Sequence, residues 1–366
     1  MSAILFVTWD GGGNVPPATA LAHELVRRGH TVRVLGHASQ EAAITDQGLR
    51  FVRPRHARGV ERFNPLTMLS VFADRGMGRD LLDAVAADPA DLVVIDSLMF
   101  GAMDAARRAG LPYVVLEHMY DAAYRQGTLG GPMGLNLRLR RLAPQRALDA
   151  AALRLVMTLP ELDPVTGTNI RQVGPFAMWS PRREADATVV ISLSTFDFPG
   201  MAGLLQRLVD ATAGLAARVL VSTGPVIDPG AVRPGPGVEV HRWLAHAEVL
   251  PEATVLVTHG GHGSAMTGLA HDLPLLVVPV EDRTDQPLVG RSVEAAGAGR
   301  VLSRKATVAD LASALGTLAG EGPHRAAAAR LGSAIRATDA VRDGTDAVEA
   351  LLSNGAAAPG RPAARP

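Results

Sequence analysis

Short apolar runs recur along the chain at intervals that a buried strand and its covering helix would fill. Ile4 to Thr8, Thr31 to Leu35, Leu92 to Ile95 and Tyr113 to Leu116 are such runs, and Phe51 to Val52 hints at another. Between them, Pro16 to Arg28 carries Leu21, Leu25 and Val26 at helical spacing, and Met99 to Ala109 reads as a second helix. Strands alternating with helices predict a parallel, doubly wound sheet. A second series begins at Val189 to Leu193. It continues through Arg218 to Ser222, Val238 to His241, Ala253 to Val257 and Leu275 to Val280, and ends in alanine-rich helices between Val308 and Leu352. The stretch Thr158 to Asp186 lacks periodicity and holds Pro160, Pro164, Pro175 and Pro181. The expected organisation is therefore α/β: two Rossmann-like domains, residues 1–160 and 188–353, facing a cleft and joined by a linker at 161–187. The tail, 354–366, has a composition suited to disorder.

Composition narrows the class. A chain of 366 residues with 47% hydrophobic content suits two cores rather than one. Lys+Arg and Asp+Glu each total 36, and no polybasic run stands out, which argues against nucleic acid as the main partner. Without cysteine, neither disulfides nor thiolate chemistry are available. The opening MSAILFVTWD reads as a strand and turn, not a signal peptide, and no apolar run is long enough for a membrane span. A cytoplasmic protein is the simplest expectation; the sequence leaves a homodimer open.

Thr258 to Pro287 carries the most chemistry. The run Ala253 to Val257 delivers His259 to a strand end, Gly260, Gly261 and Gly263 permit a tight turn, and Ser264 opens a helix. A strand, a glycine turn and a helix N-terminus present free amides and the positive end of the helix dipole to one spot. His259 and Ser264 add donors, and together they suit a diphosphate. Asp285 and Gln286 follow the next strand, where ligands of open α/β sheets gather. A carboxylate beside a carboxamide matches adjacent sugar hydroxyls. A nucleotide sugar is the ligand this pattern describes.

With these motifs, the chain resembles glycosyltransferases of the B-type fold, and more narrowly the bacterial enzymes that decorate antibiotics and their plant relatives. The resemblance implies an inverting, metal-independent transfer of a sugar from a uridine or thymidine diphosphate donor to a small, largely apolar acceptor. It implies that residues 1–160 bind the acceptor, with Arg53 to Arg79 and Tyr120 to Leu135 as walls, and that residues 188–353 bind the donor. It gives Trp243 a place against the nucleobase. Ser194, Thr195 and Thr223 would lie near the nucleotide, His259, Gly261, Gly263 and Ser264 would cradle the diphosphate, and Asp285 and Gln286 would read the sugar.

One position departs from the family pattern. Where a histidine base is usual, in a segment like H-x-x-P, this chain has Asn14-Val15-Pro16-Pro17, and a carboxamide cannot take a proton at neutral pH. Asp10 follows the first strand and is a candidate for the base, while Asp96 ends a strand where the resemblance places an acid that supports the base. Glu117 and His118 end the next strand and approach the cleft rim, and His118 rivals Asp10 because imidazole suits proton transfer near neutrality. Other readings stay open. A dinucleotide oxidoreductase is one, though G-x-G-x-x-G is absent after the first strand. A nucleotide-sugar binder or auxiliary protein without turnover, and a nucleotide-sugar hydrolase or epimerase, are the others.

Overall fold

In the computed structural model, which describes residues 1–59, 65–184, 186–196 and 198–354, each alternating series folds into its own parallel sheet. The first has seven strands: β1 (Ala3–Val7), β2 (Thr31–Leu35), β3 (Arg50–Val52), β4 (Leu92–Asp96), β5 (Tyr113–Glu117), β6 (Leu153–Val156) and β7 (Ile170–Gln172). Their order in the sheet is β3-β2-β1-β4-β5-β6-β7, with β1 in register against both β2 (Phe6 beside Val34) and β4 (Phe6 beside Val94). The second has six: β8 (Thr188–Ser192), β9 (Arg218–Ser222), β10 (Val238–His241), β11 (Val255–Thr258), β12 (Leu275–Val277) and β13 (Gly299–Val301), ordered β10-β9-β8-β11-β12-β13. Central strands such as β4, β5 and β8 are buried at every residue, as unbroken apolar runs covered on both faces must be.

Chain contacts divide the protein into two units. One comprises Met1–Thr158, Val165–Gly174 and the segment from Asp339 onward; the other comprises Leu159–Pro164 and Pro175–Thr338. Two features differ from the sequence expectation. The stretch read as a linker contains β7, paired with β6 through Arg154 and Ile170. Three half-exposed or exposed residues at a sheet edge carry no periodic signal, which is why this strand was illegible. The last helix, Ala340–Ser353, belongs to the first unit and not to the second. It packs on the helix Val15–Arg27, where Gly344 lies against Leu21 and Leu155. Arg28 reaches Asp346 at 2.5 Å and Glu349 at 2.7 Å. Alanine-rich amphipathic helices look alike in sequence, so the face each one covers is a tertiary property. Of the expected tail, only Asn354 lies within the described residues, and residues 60–64 of the expected acceptor wall lie outside them. No helix of the described residues is long and apolar enough to cross a membrane.

The core of the first unit is tight where helices Arg75–Ala87 and Phe100–Ala109 meet. A Cβ on Gly101 would stand 1.9 Å from the Asp74 carbonyl oxygen, and one on Gly78 would stand 2.6 Å from that of Gly101. Asp74 cannot yield easily, because its side chain caps the first of these helices through the Gly76 amide. Gly101→Ala is therefore expected to destabilise the protein by about 1–3 kcal/mol, the usual cost of overpacking. Urea denaturation at neutral pH reads this directly, and an unchanged midpoint would refute the close approach.

Candidate active site

Four residues that follow or end neighbouring strands of the first sheet converge on one carboxylate. Asp96, the last residue of β4, is 3% exposed. Its Oδ1 accepts hydrogen bonds from Trp9 Nε1 at 3.2 Å and from the Leu98 amide at 2.9 Å. Its Oδ2 accepts from Asn14 Nδ2 at 2.9 Å, and His118 Nε2 lies 3.1 Å from the same oxygen. The His118 contact is an ion-pair distance without the alignment of a hydrogen bond. Asn14, just ahead of the helix Val15–Arg27, also directs Nδ2 at Thr8 Oγ1 and the Trp9 carbonyl. Its own Oδ1 is buried with no hydrogen-bond partner.

Asp10 stands apart from this cluster. Its carboxylate accepts from the Ser39 hydroxyl at 2.6 Å, and its amide faces His37 Nδ1 at 3.4 Å. Glu117 is not at a rim, as its place at a strand end suggested. It is fully buried, and its Oε1 receives Arg154 Nε at 2.6 Å while Arg154 also binds Asp121. Burial pushes the Glu117 carboxyl up to about 7, against the opposing pull of Arg154. Sequence reasoning missed two members of this region. Trp9, edge-on to Phe72 at 5.0 Å, is the indole that fixes Asp96, and Arg154 neutralises the carboxylates behind β5. An indole two residues past a strand and an arginine inside an apolar run were the available signals.

In the second unit, β11 ends at Thr258 and the helix His262–Ala270 begins three residues after His259. Gly260 has φ +89°, and a Cβ there would meet the Gln286 carbonyl oxygen and Val277 Cγ1, each at 2.8 Å, so the turn requires glycine at this position. A Cβ on Gly261 would stand 2.6 Å from His259 Nε2. Gly263 is different: it is exposed, helical, and surrounded by open space. Nothing within the fold demands glycine there. No side chain caps this helix, and the amides of its first turn, Gly263 and Ser264 among them, have no intrahelical carbonyl. The His259 ring is half-buried, its Nδ1 has no hydrogen-bond partner, and desolvation pushes its pKa down to about 4. It is a neutral imidazole at physiological pH.

The remaining expected donor residues divide by what their polar atoms already do. Ser194 Oγ accepts from the Phe196 amide at 3.0 Å and keeps its proton to donate, while Thr195 beside it is exposed. Thr223 donates its hydroxyl proton to the Ile227 carbonyl at 2.9 Å, so it is a brace for its own loop. Gln286 Oε1 accepts from the amides of Val280 and Glu281 at 2.9 and 3.1 Å, which leaves only its NH₂ to face a ligand. Asp285 is half-buried at the cap of the helix Gln286–Ala295. Trp243 is 66% exposed, so it is not a core residue.

Two further groupings were invisible in the sequence. His56, Asp80 and Asp83 gather closely, but Asp80 accepts from the amides of Arg55, His56 and Ala57, and His56 Nε2 meets Asp83 at 3.1 Å. These contacts clamp a loop. A cavity of about 680 Å³ is lined by Arg107, Arg108, Arg125, Arg138, Arg141 and Arg146, which are scattered in sequence and gathered only by the fold. Half of them are neutralised, Arg107 and Arg108 by Asp104 and Arg125 by Asp121.

Comparison with known proteins bears on the fold and the family. Residues 206–349 match the erythromycin biosynthesis protein CIII-like C-terminal domain, and residues 12–175 match the glycosyl transferase 4-like domain. The 4'-demethylrebeccamycin synthase of Lentzea aerocolonigenes is 26% identical, covering 95% of this chain and 99% of that protein. The L-demethylnoviosyl transferase of Streptomyces niveus is 28% identical, covering 92% and 96%. Among solved structures, the kitacinnamycin glycotransferase superposes with a TM-score of 0.77 at 25% identity, over 95% of this chain and 98% of that one. The calicheamicin glycosyltransferase shares the fold at a TM-score of 0.78 and 23% identity, over 96% and 98%. The chain is a glycosyltransferase of the B-type fold, related to the bacterial enzymes that transfer sugars to antibiotics and other natural products.

Proposed function

We propose that this enzyme moves a sugar from a uridine or thymidine diphosphate to a small, largely apolar natural-product acceptor, with inversion at the anomeric carbon. The observation that carries the donor half is the turn from His259 to Ser264. It combines an uncapped helix N-terminus, an exposed glycine in open space and an imidazole nitrogen with no partner. Each is a cost or an oddity in the protein alone, and a diphosphate relieves all three. Amides and helix dipole would stabilise the charge that develops as the diphosphate leaves, in a preorganised form that needs no rearrangement. Ser194 and Thr195 supply further donors near the end of β8, the Gln286 NH₂ and the Asp285 carboxylate suit sugar hydroxyls, and the exposed indole of Trp243 offers a face for a base. The relatives named for demethylrebeccamycin synthesis, demethylnoviosyl transfer and kitacinnamycin support a small natural-product acceptor.

Gly263→Ala separates this reading from a purely structural glycine. Alanine at an exposed helical position should leave stability unchanged or raise it by up to about 1 kcal/mol. Affinity for UDP or dTDP should fall, because a methyl group then occupies the anion's approach. Calorimetry showing full affinity in this variant would remove the diphosphate cradle. His259→Ala should in turn weaken the nucleotide by about 1–3 kcal/mol, as expected for a hydrogen bond to a charged group.

The buried imidazole also sets a pH dependence. His259 titrates near 4 in the folded protein and near its ordinary 6.5 when unfolded, so the unfolded chain binds the extra proton between these values. Its contribution to stability is whole above about 6.5 and is lost as pH falls toward about 4. Urea midpoints measured at pH 7 and pH 5 should differ by less in His259→Gln than in the parent. Equal differences would mean the ring is not desolvated.

A further inference from the structure

We propose that the arginine-lined cavity of the first unit binds a phosphate-bearing ligand, through residues that share none with the turn from His259 to Ser264. Such a site goes beyond the glycosyl-transfer reading and does not depend on it.

The charge in the cavity wall is the starting point. The whole chain balances 36 basic against 36 acidic residues. Around this cavity of about 680 Å³ stand Arg107, Arg108, Arg125, Arg138, Arg141 and Arg146, and among the described residues no Asp or Glu lines it. Behind the wall, Asp104 takes Arg107 at 2.9 Å and Arg108 at 2.7 Å, and Asp121 is shared between Arg125 and Arg154. Arg138 donates to the Leu129 carbonyl oxygen at 3.3 Å, and neither it nor Arg141 nor Arg146 has a carboxylate partner among the described residues.

Helix ends account for part of this. Arg107, Arg108, Arg138 and Arg146 stand in the last turns of the helices Phe100–Ala109, Pro132–Leu139 and Pro144–Asp149, where a cation suits the dipole. That explains a charge at each helix end. It does not explain why three such ends, with Arg125 and Arg141, line one cavity. Arg141 is the clearest case. Its φ of +58° lies in the left-handed region, which costs a residue with a side chain. Arg75 holds that turn by donating to the carbonyl oxygens of Arg140 at 2.9 Å and Arg141 at 3.4 Å. Glycine would suit the backbone better, yet the position carries a guanidinium in the cavity wall.

The chemistry of the wall selects phosphate. Guanidinium forks pair with carboxylate or phosphate through parallel hydrogen bonds. A carboxylate has too few oxygens for several forks at once, whereas the oxygens of a phosphate or pyrophosphate diverge and can accept from more of them. The volume is that of a small-ligand pocket, and Leu129, Leu142 and Pro144 give an apolar surface to the rest of the molecule. Arg107 and Arg108 lie at the other end of their helix from Asp96, so the cavity is not part of the cluster around that carboxylate. The phosphate can belong to a soluble ester or to a lipid head group; Leu135 and Leu139, 54% and 74% exposed on the same helix as Arg138, would meet the latter's surroundings.

The test is calorimetry of inorganic pyrophosphate against the full chain with UDP at saturation, so that the turn at His259 is occupied. The parent should show one saturable site that weakens as salt rises. Arg141→Gly should leave the urea midpoint unchanged or raised, since glycine relieves the positive φ, and should lower pyrophosphate affinity by about tenfold, as for one lost hydrogen bond to a charged group. Arg138→Gln, Arg141→Gly and Arg146→Gln together should abolish the site while UDP affinity, measured separately, stays as in the parent. Sedimentation with phosphatidylglycerol vesicles distinguishes the source of the phosphate. Co-sedimentation that the triple variant loses marks a lipid head group; pyrophosphate binding without co-sedimentation marks a soluble phosphate ester.

A parent that takes neither pyrophosphate nor the vesicles would overturn the site, as would full pyrophosphate affinity in the triple variant or a parallel fall in its UDP affinity. Failure of UDP to bind the parent would instead count against the donor turn, and the comparison of parent with triple variant would still decide the arginine cavity.

Discussion

Parallel strand pairing is the constraint from which both sites follow. When every strand of a sheet runs one way, the residue after each strand arrives at the same edge, and at the point where strand order reverses a crevice opens there. The two sheets share this arrangement beyond their common class. In the first, the order runs outward from β1 through β2 and β3 on one side and β4 and β5 on the other; in the second, β8, β9, β10, β11 and β12 take the equivalent places. Trp9, Asp96 and His118 follow or end β1, β4 and β5. Ser194, His259 and Asp285 follow β8, β11 and β12. One topology therefore gathers side chains around the Asp96 carboxylate in one unit and forms a glycine turn with an uncapped helix N-terminus in the other, and side-chain choice alone separates them.

Much of this was legible from residue order, because buried parallel strands are unbroken apolar runs and their ends announce the site. The positions of His259 and Asp96 at the ends of β11 and β4 were read that way. What could not be read was anything decided by pairing across the sheet. β7 and β13 are three residues each at sheet edges, too short and too exposed to carry a period. Thr223 and Gln286 follow strands as expected, yet their polar atoms serve loops. Sequence gives a residue's position at an edge; which of its hydrogen bonds are already taken depends on neighbours far away in the chain.

Asn14 shows how such a neighbourhood assigns a role. Its NH₂ has three acceptors within reach while its oxygen is buried with none. A buried unsatisfied acceptor costs about 1–3 kcal/mol. An apolar residue of similar size would avoid that cost but would release Asp96 on one side. The side chain is explained by what it gives to the carboxylate, not by packing.

The last helix has a consequence for how the molecule is made. Ala340–Ser353 packs on the helix Val15–Arg27, so the first unit is completed by a segment that lies in the chain beyond the whole of Pro175–Thr338. Until that segment has left the ribosome, Leu21 and Leu155 lack the helix that lies against them. A chain cut short near residue 338 would therefore lose part of the first unit and not of the second.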